Sequence, residues 1–130
     1  MDFPTTQIGG YEISRLMIGT NTFYGYSHFS MAKDRWLRGY FTPERIYEVL
    51  EFCALQGLNG TIAMQNPGYA ELVRKVEENT GRRIRYIATP GGANLAELKD
   101  GIRQSRDLGC EFCWPHTSWR SRRCARWWPD

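Results

Sequence analysis

The stretch GLNGTIAMQNPGYAELVRKVEENTGRRIRYIATPGGANLAELKDGIRQSRDLGC, residues 57–110, passes twice through one pattern: a glycine, a short apolar run, a polar turn and an amphipathic stretch. The apolar runs, Leu58 to Met64 and Ile84 to Ala88, are too short for helices and are predicted as strands. A third run, Cys110 to Trp114, begins where the pattern stops. From Leu58 to Ile84 and from Ile84 to Cys110 is 26 residues in each case, close to one βα unit. Between the runs, Tyr69 to Thr80 carries Leu72, Val73 and Val76 at helical spacing and ends at Gly81. The next helix starts at Asn94, which forms a variant capping box with Glu97. It carries Leu95, Leu98, Ile102, Ser105 and Leu108 before Gly109.

Working outward, Thr42 and Pro43 are the N-cap and first position of an earlier helix with Ile46, Val49, Leu50, Cys53 and Ala54 on one face, closed by Gly57. Ile13 to Gly19 supplies a strand before it, and Thr6 to Ile8 and Tyr11 to Ile13 flank Gly9-Gly10 as a β-hairpin. The expected fold is therefore α/β, with about four parallel strands, three helices and an N-terminal hairpin. Two architectures use this alternation: an open doubly wound sheet, or the N-terminal half of a (β/α)8 TIM barrel of about 250 residues. The ending decides for the half barrel. RSRRCARWWPD, residues 120–130, has neither cap nor helical stripe and has the look of an out-of-frame or artificial junction, so the fold is assigned to residues 1–119 and the basic, Trp-rich tail is set apart.

Composition restricts the function. With 42% hydrophobic and 14% aromatic residues in 130, the chain is predicted to fold rather than remain disordered. No run reaches the roughly 18 apolar residues of a membrane span and no export signal opens the chain, which predicts a cytoplasmic protein without membrane contact. The net charge of +3 belongs to the tail, where four arginines outweigh one aspartate. A nucleic-acid groove needs its basic residues on a folded face, so nucleic acid is not an expected partner. A half barrel also leaves two sheet edges unpaired, which predicts association into homo-oligomers.

The segment TTQIGGYEISRLMIGTNTFYG, residues 5–25, resembles the opening of the aldo-keto reductases, which begin with a bottom-plugging hairpin and a strand ending in Gly-Thr. GLNGTIAMQNPGYAELV, residues 57–73, is similar to that family's second strand and loop, RIRYIATP, residues 83–90, to the third, and CEFCWPH, residues 110–116, to the fourth. The resemblance implies an oxidoreductase-like barrel acting on a small polar metabolite with NADP as cofactor. It also implies a catalytic aspartate, tyrosine, lysine and histidine at the strand ends. His116 falls at the histidine's place and Tyr69 near the tyrosine's, whereas the second strand ends Ala63-Met64-Gln65 without an aspartate and the third Ala88-Thr89-Pro90 without a lysine. A tyrosine deprived of both would keep a pKa of about 10 and serve poorly as an acid. The family's nicotinamide-binding elements lie mainly in its second half barrel.

In parallel βα folds the chemistry gathers at the C-terminal ends of the strands. After the first strand comes a connection from Thr20 to Phe41, far longer than the usual two to six residues. It contains Asn21, Thr22, Phe23, Tyr24, Gly25, Tyr26, Ser27 and His28, suited to gripping a small polar ligand. Gln65 and Asn66 follow the second strand and Thr89 the third. His28 and His116, the only histidines, fall on that face and are candidate general acids or bases, with Tyr69 as the third catalytic candidate. Asn21, Thr22, Phe23, Tyr26, Gln65, Asn66 and Thr89 are the expected substrate contacts. Thr89 to Asn94 leads into a helix N-terminus that would suit an anion, although a plain tight turn is the preferred explanation. Cys110 and Cys113, three apart on a strand, point to opposite faces, so no metal is expected, and Cys53 and Cys110 are core residues. Two further readings stay open. One is a histidine-dependent isomerase or lyase barrel, and the other a non-catalytic binding module on an open four-stranded sheet.

Overall fold

The alternation of short apolar runs with capped amphipathic stretches produces an α/β structure. The computed structural model describes residues 3–116, so the reading of residues 120–130 as a foreign tail falls outside the described residues. Thr5–Ile8 (β1) and Tyr11–Ser14 (β2) form the antiparallel hairpin, with Ile8 opposite Tyr11 and Gly9-Gly10 at positive φ of 56° and 82° in the turn. Ile18–Gly19 (β3), Gly60–Ala63 (β4), Arg85–Ala88 (β5) and Phe112–Cys113 (β6) make a four-stranded sheet, every neighbouring pair parallel, in the order β3-β4-β5-β6. A doubly wound sheet reverses its order at a switch point. No reversal occurs among these strands, and right-handed crossovers then put the intervening helices on one face, the arrangement of consecutive barrel units.

Four helices are present among the described residues: Met31–Tyr40 (α1), Pro43–Leu55 (α2), Pro67–Thr80 (α3) and Leu95–Asp107 (α4). Three were expected. The additional one, α1, lies inside the stretch from Thr20 to Phe41 that the sequence suggests is a long loop. Ser30 caps α1, its hydroxyl accepting from the Lys33 N–H at 3.2 Å, and Asp34 and Arg38 complement the helix dipole at its two ends. Leu37 is its only buried residue, too little for a visible stripe. The helix α3 likewise begins two residues earlier than expected, because the Asn66 side chain accepts from the Tyr69 N–H at 3.0 Å and Pro67 occupies the first turn.

The strands are shorter than predicted. Ile13 to Gly19 divides between two sheets, since the Ser14 N–H donates to Asn59 Oδ1 at 2.7 Å and turns the chain before β3. The helix face of the sheet carries Ile18, Ala63, Tyr86 and Ala88, which pack with Ile46, Leu50, Ala54, Tyr69, Val73 and Val76 into the core. Gly19, Ile62, Ile87 and Phe112 share the other face by register. Tyr11 meets Phe112 edge-on at 5.6 Å, and Arg85 lies 4.3 Å over the Tyr11 ring, so the hairpin lies across the N-terminal end of the sheet. The C-terminal ends of the strands remain open. On α4 the inward residues are Leu98, Gly101 and Ser105, whereas the expected Leu95 and Ile102 are exposed. Cys53 and Cys110 are half-buried against the core. No helix among the described residues is long and apolar enough to cross a membrane.

Candidate functional site

Beyond the C-terminal ends of β3, β4 and β5 lies a cavity of about 690 Å³, a volume ordinary for small-molecule sites. Backbone bonds that continue past the strands set its rim. The Thr89 N–H donates to the Ala63 carbonyl at 2.9 Å, the Trp114 N–H to Ala88 at 2.7 Å and the His116 N–H to Pro90 at 2.9 Å. The Thr20 hydroxyl ties to the Ile62 carbonyl at 3.1 Å. Residues that follow each strand are thereby registered against one another, and Thr20, Thr89 and His116 all reach the cavity. Its floor is Ile62, Ala63 and Met64. Gln65 is anchored sideways, its Nε2 donating to the Gly101 carbonyl of α4 at 2.9 Å.

The opposite wall is the segment 20–30, and α1 holds it in place. Asp34 Oδ1 accepts from the Ser27 backbone N–H at 2.8 Å and from the Ser27 hydroxyl at 2.5 Å, while Ser27 Oγ accepts from the Phe29 N–H at 3.2 Å. These bonds hold the Asp34 carboxyl below the usual carboxylate range. His28, between the bonded residues, has a φ of 55°, rare for a side chain larger than glycine, and its Nε2 lies 3.3 Å from Asn21 Nδ2. Gly25 permits a close approach between this segment and the helix. A Cβ there would stand 2.5 Å from the Asp34 carbonyl oxygen and 2.7 Å from Arg38 Cγ.

Seven of the residues expected at the site line this cavity: Asn21, Tyr26, His28, Gln65, Asn66, Thr89 and His116. Three do not. Tyr69 is 1% exposed, its hydroxyl 2.5 Å from Thr61 Oγ1 and its ring packed edge-on against Tyr86 and Tyr24. Burial raises its pKa far above that of an ordinary phenol, which corrects the expectation of an unperturbed group and leaves no proton donor there for cavity chemistry. Phe23 is a core residue at 6% exposure, packed on Phe41 with ring centres 5.2 Å apart. Thr22 is exposed outside the cavity lining, its carbonyl accepting from the Gly25 N–H at 3.3 Å in the turn that shapes the wall.

The cavity also contains residues outside the expected catalytic groups and substrate contacts. Tyr24 lines it, and burial raises its pKa, so the phenol is a neutral donor at physiological pH. Arg38 lines it too, at the border with a second cavity beside α2 and α3, its Nη1 donating to the Gly25 carbonyl at 3.4 Å. A signal for Arg38 is present in the sequence: Ser30 followed by Asp34 and Arg38, a cap with charges placed for a helix. Conversely, the anion site considered at Thr89 to Asn94 is already filled. Glu97 folds back on its own helix, its Oε2 accepting from the Ala93 N–H at 2.7 Å and its Oε1 from Asn94 Nδ2 at 2.8 Å.

Comparison with protein-family models, with curated protein sequences and with solved structures found no match. The residues present do not fit the NADP chemistry implied by the resemblance, because the tyrosine that would deliver a proton during hydride transfer is sealed beneath the cavity against Thr61. Among the described residues that line it, the cavity offers two imidazoles as acid–base groups, flanked by amides, hydroxyls and an arginine.

Proposed function

We propose that the chain provides the ligand-binding face of a (β/α)-barrel enzyme, aldo-keto-reductase-like in layout, that acts on a small polar metabolite by histidine acid–base chemistry of the isomerase or lyase kind. The observation that carries this reading is that His28 and His116, 88 residues apart in sequence, line one cavity at the strand ends. Imidazole is the side chain suited to proton exchange near neutral pH, so a pair on two walls can take a proton from one side of a ligand and return it on another. Asn21, Gln65, Asn66 and Thr89 offer hydrogen bonds to hydroxyl or carbonyl groups, while Ile62, Ala63 and Met64 provide an apolar floor. Asn21 beside His28 orients that ring.

The test is to map small-metabolite binding on the full chain by amide chemical shifts, then assay the binders for isomerisation and elimination. The expected result is shifts at Asn21, Gln65, Thr89 and His116, with turnover lost in His116→Asn while binding persists. Ligands that collect only in the separate groove lined by Glu71, Arg74, Arg83 and Asp107, or turnover unchanged in His116→Asn, would remove the assignment. Binding at the cavity without turnover of any ligand would favour the non-catalytic module.

A further inference from the structure

We infer that the ligand of this cavity carries an oxyanion head, a carboxylate or phosphate monoester, and that Arg38 receives it. The inference rests on the reading above and specifies its substrate class. The charge balance of the cavity points to it: among the described residues that line it, Arg38 alone carries a permanent charge and none is acidic. A cavity built only for a neutral polyol has no need of a guanidinium. The head group of Arg38 is also little committed elsewhere. It enters none of the ion pairs within 4 Å among the described residues. Asp34, one helical turn away, spends its Oδ1 on two bonds to Ser27, so it tempers the field of Arg38 without closing a bridge. The one bond from Arg38 described above, to the Gly25 carbonyl, is long at 3.4 Å and uses one of five N–H donors.

Geometry adds to the charge argument. The missing side chain at Gly25 lets the Arg38 stem lie against the wall, where any Cβ would collide with Arg38 Cγ and crowd Nη1 at 3.2 Å. The stem of Arg38 thus lies against the wall at Gly25 while the residue stays exposed, so its guanidinium remains open to an incoming anion. The same cavity is lined by groups that can donate to an anion: the Asn21 amide, the Tyr24 phenol, the Thr89 hydroxyl and the imidazoles of His28 and His116. A planar guanidinium pairs with carboxylate and phosphate oxygens alike through two parallel bonds, so the shared chemistry is an oxyanion and the source must be separated by experiment.

The experiment titrates the full 130-residue chain with inorganic phosphate, with succinate and with glycerol, following amide resonances in the unaltered protein, in Arg38→Gln, in Arg38→Lys and in Arg74→Gln as an outer-surface control. Phosphate or succinate is expected to shift Asn21, His28 and Thr89. The affinity of whichever anion binds should fall about tenfold or more in Arg38→Gln, less in Arg38→Lys and not at all in Arg74→Gln. Tighter binding of phosphate than succinate, or the reverse, identifies the head group. Preserved spectral dispersion in Arg38→Gln separates a lost contact from a lost fold, and the affinity of Arg38→Lys decides the matter if Arg38→Gln unfolds. Anion affinity unchanged in both Arg38 variants, or no anion shift at the cavity, overturns the inference. Glycerol binding at the cavity while anions gain nothing also overturns it but leaves the proposed function standing. Probes that bind only outside the cavity overturn both.

Discussion

Alanine placed at position 25 tests whether α1 and the segment before it are locked together as the geometry demands. Gly25 has φ of +69°, and leaving glycine in that region costs about 1–2 kcal/mol for any L side chain. Gly81, the C-cap of α3, has nearly the same φ of +66°, but a Cβ there meets nothing within 4 Å. Gly81→Ala therefore isolates the backbone term. At position 25 the same Cβ would stand 2.5 Å from the Asp34 carbonyl oxygen, a distance real contacts do not reach, and the obstacle is helix backbone that no rotamer change can move. Relief requires α1 to shift by about an ångström, and overpacking of this kind adds about 1–3 kcal/mol. The expected loss is thus about 1–2 kcal/mol for Gly81→Ala and about 2–5 kcal/mol for Gly25→Ala, from a total stability of about 5–15 kcal/mol. Urea unfolding followed by far-UV circular dichroism gives both values from midpoints at constant slope. Equal losses in the two variants would refute the close approach, and with it the account of how the cavity wall is held.

Other consequences can be checked on the same protein. Tyr69→Phe and Thr61→Val each break the buried hydroxyl pair, and each should lower stability by about 1–3 kcal/mol in urea unfolding while leaving ligand shifts at the cavity intact; loss of ligand binding with stability unchanged would return Tyr69 to the site. Asp34 has a folded-state pKa below its unfolded value, so its contribution is present above the unfolded pKa and is lost as pH falls through the folded one. Asp34→Asn should therefore destabilise the protein near neutrality and flatten the acid limb of its stability profile, and parallel profiles for the two proteins would contradict the Ser27 latch.

Where a function depends on strand order and strand ends, the sequence exposes it; where it depends on one side chain crossing space to a backbone atom, the sequence conceals it. The caps at Thr42 and Asn94, the glycines after the helices and the short apolar runs announce the βα alternation, and alternation alone points to the open C-terminal end as the candidate face. That is why His28, Gln65, Thr89 and His116 can be gathered correctly from separate segments. Helix α1 is hidden because one inward residue, Leu37, makes no stripe, and treating residues 20–41 as a loop leaves Arg38 without a direction. Tyr69 is misplaced for the opposite reason, since its stripe with Val73 and Val76 is visible but does not by itself show where the helix starts. Counting from Asn66 as N-cap puts Tyr69 in the first turn on the inward face, in line with Val73 and Val76, and a phenol there packs over Thr61 instead of facing a ligand. An alignment by strand ends can place a strand without placing the side chain that follows it. A helix start two residues earlier decides whether a tyrosine hangs at the strand end or is packed into the core.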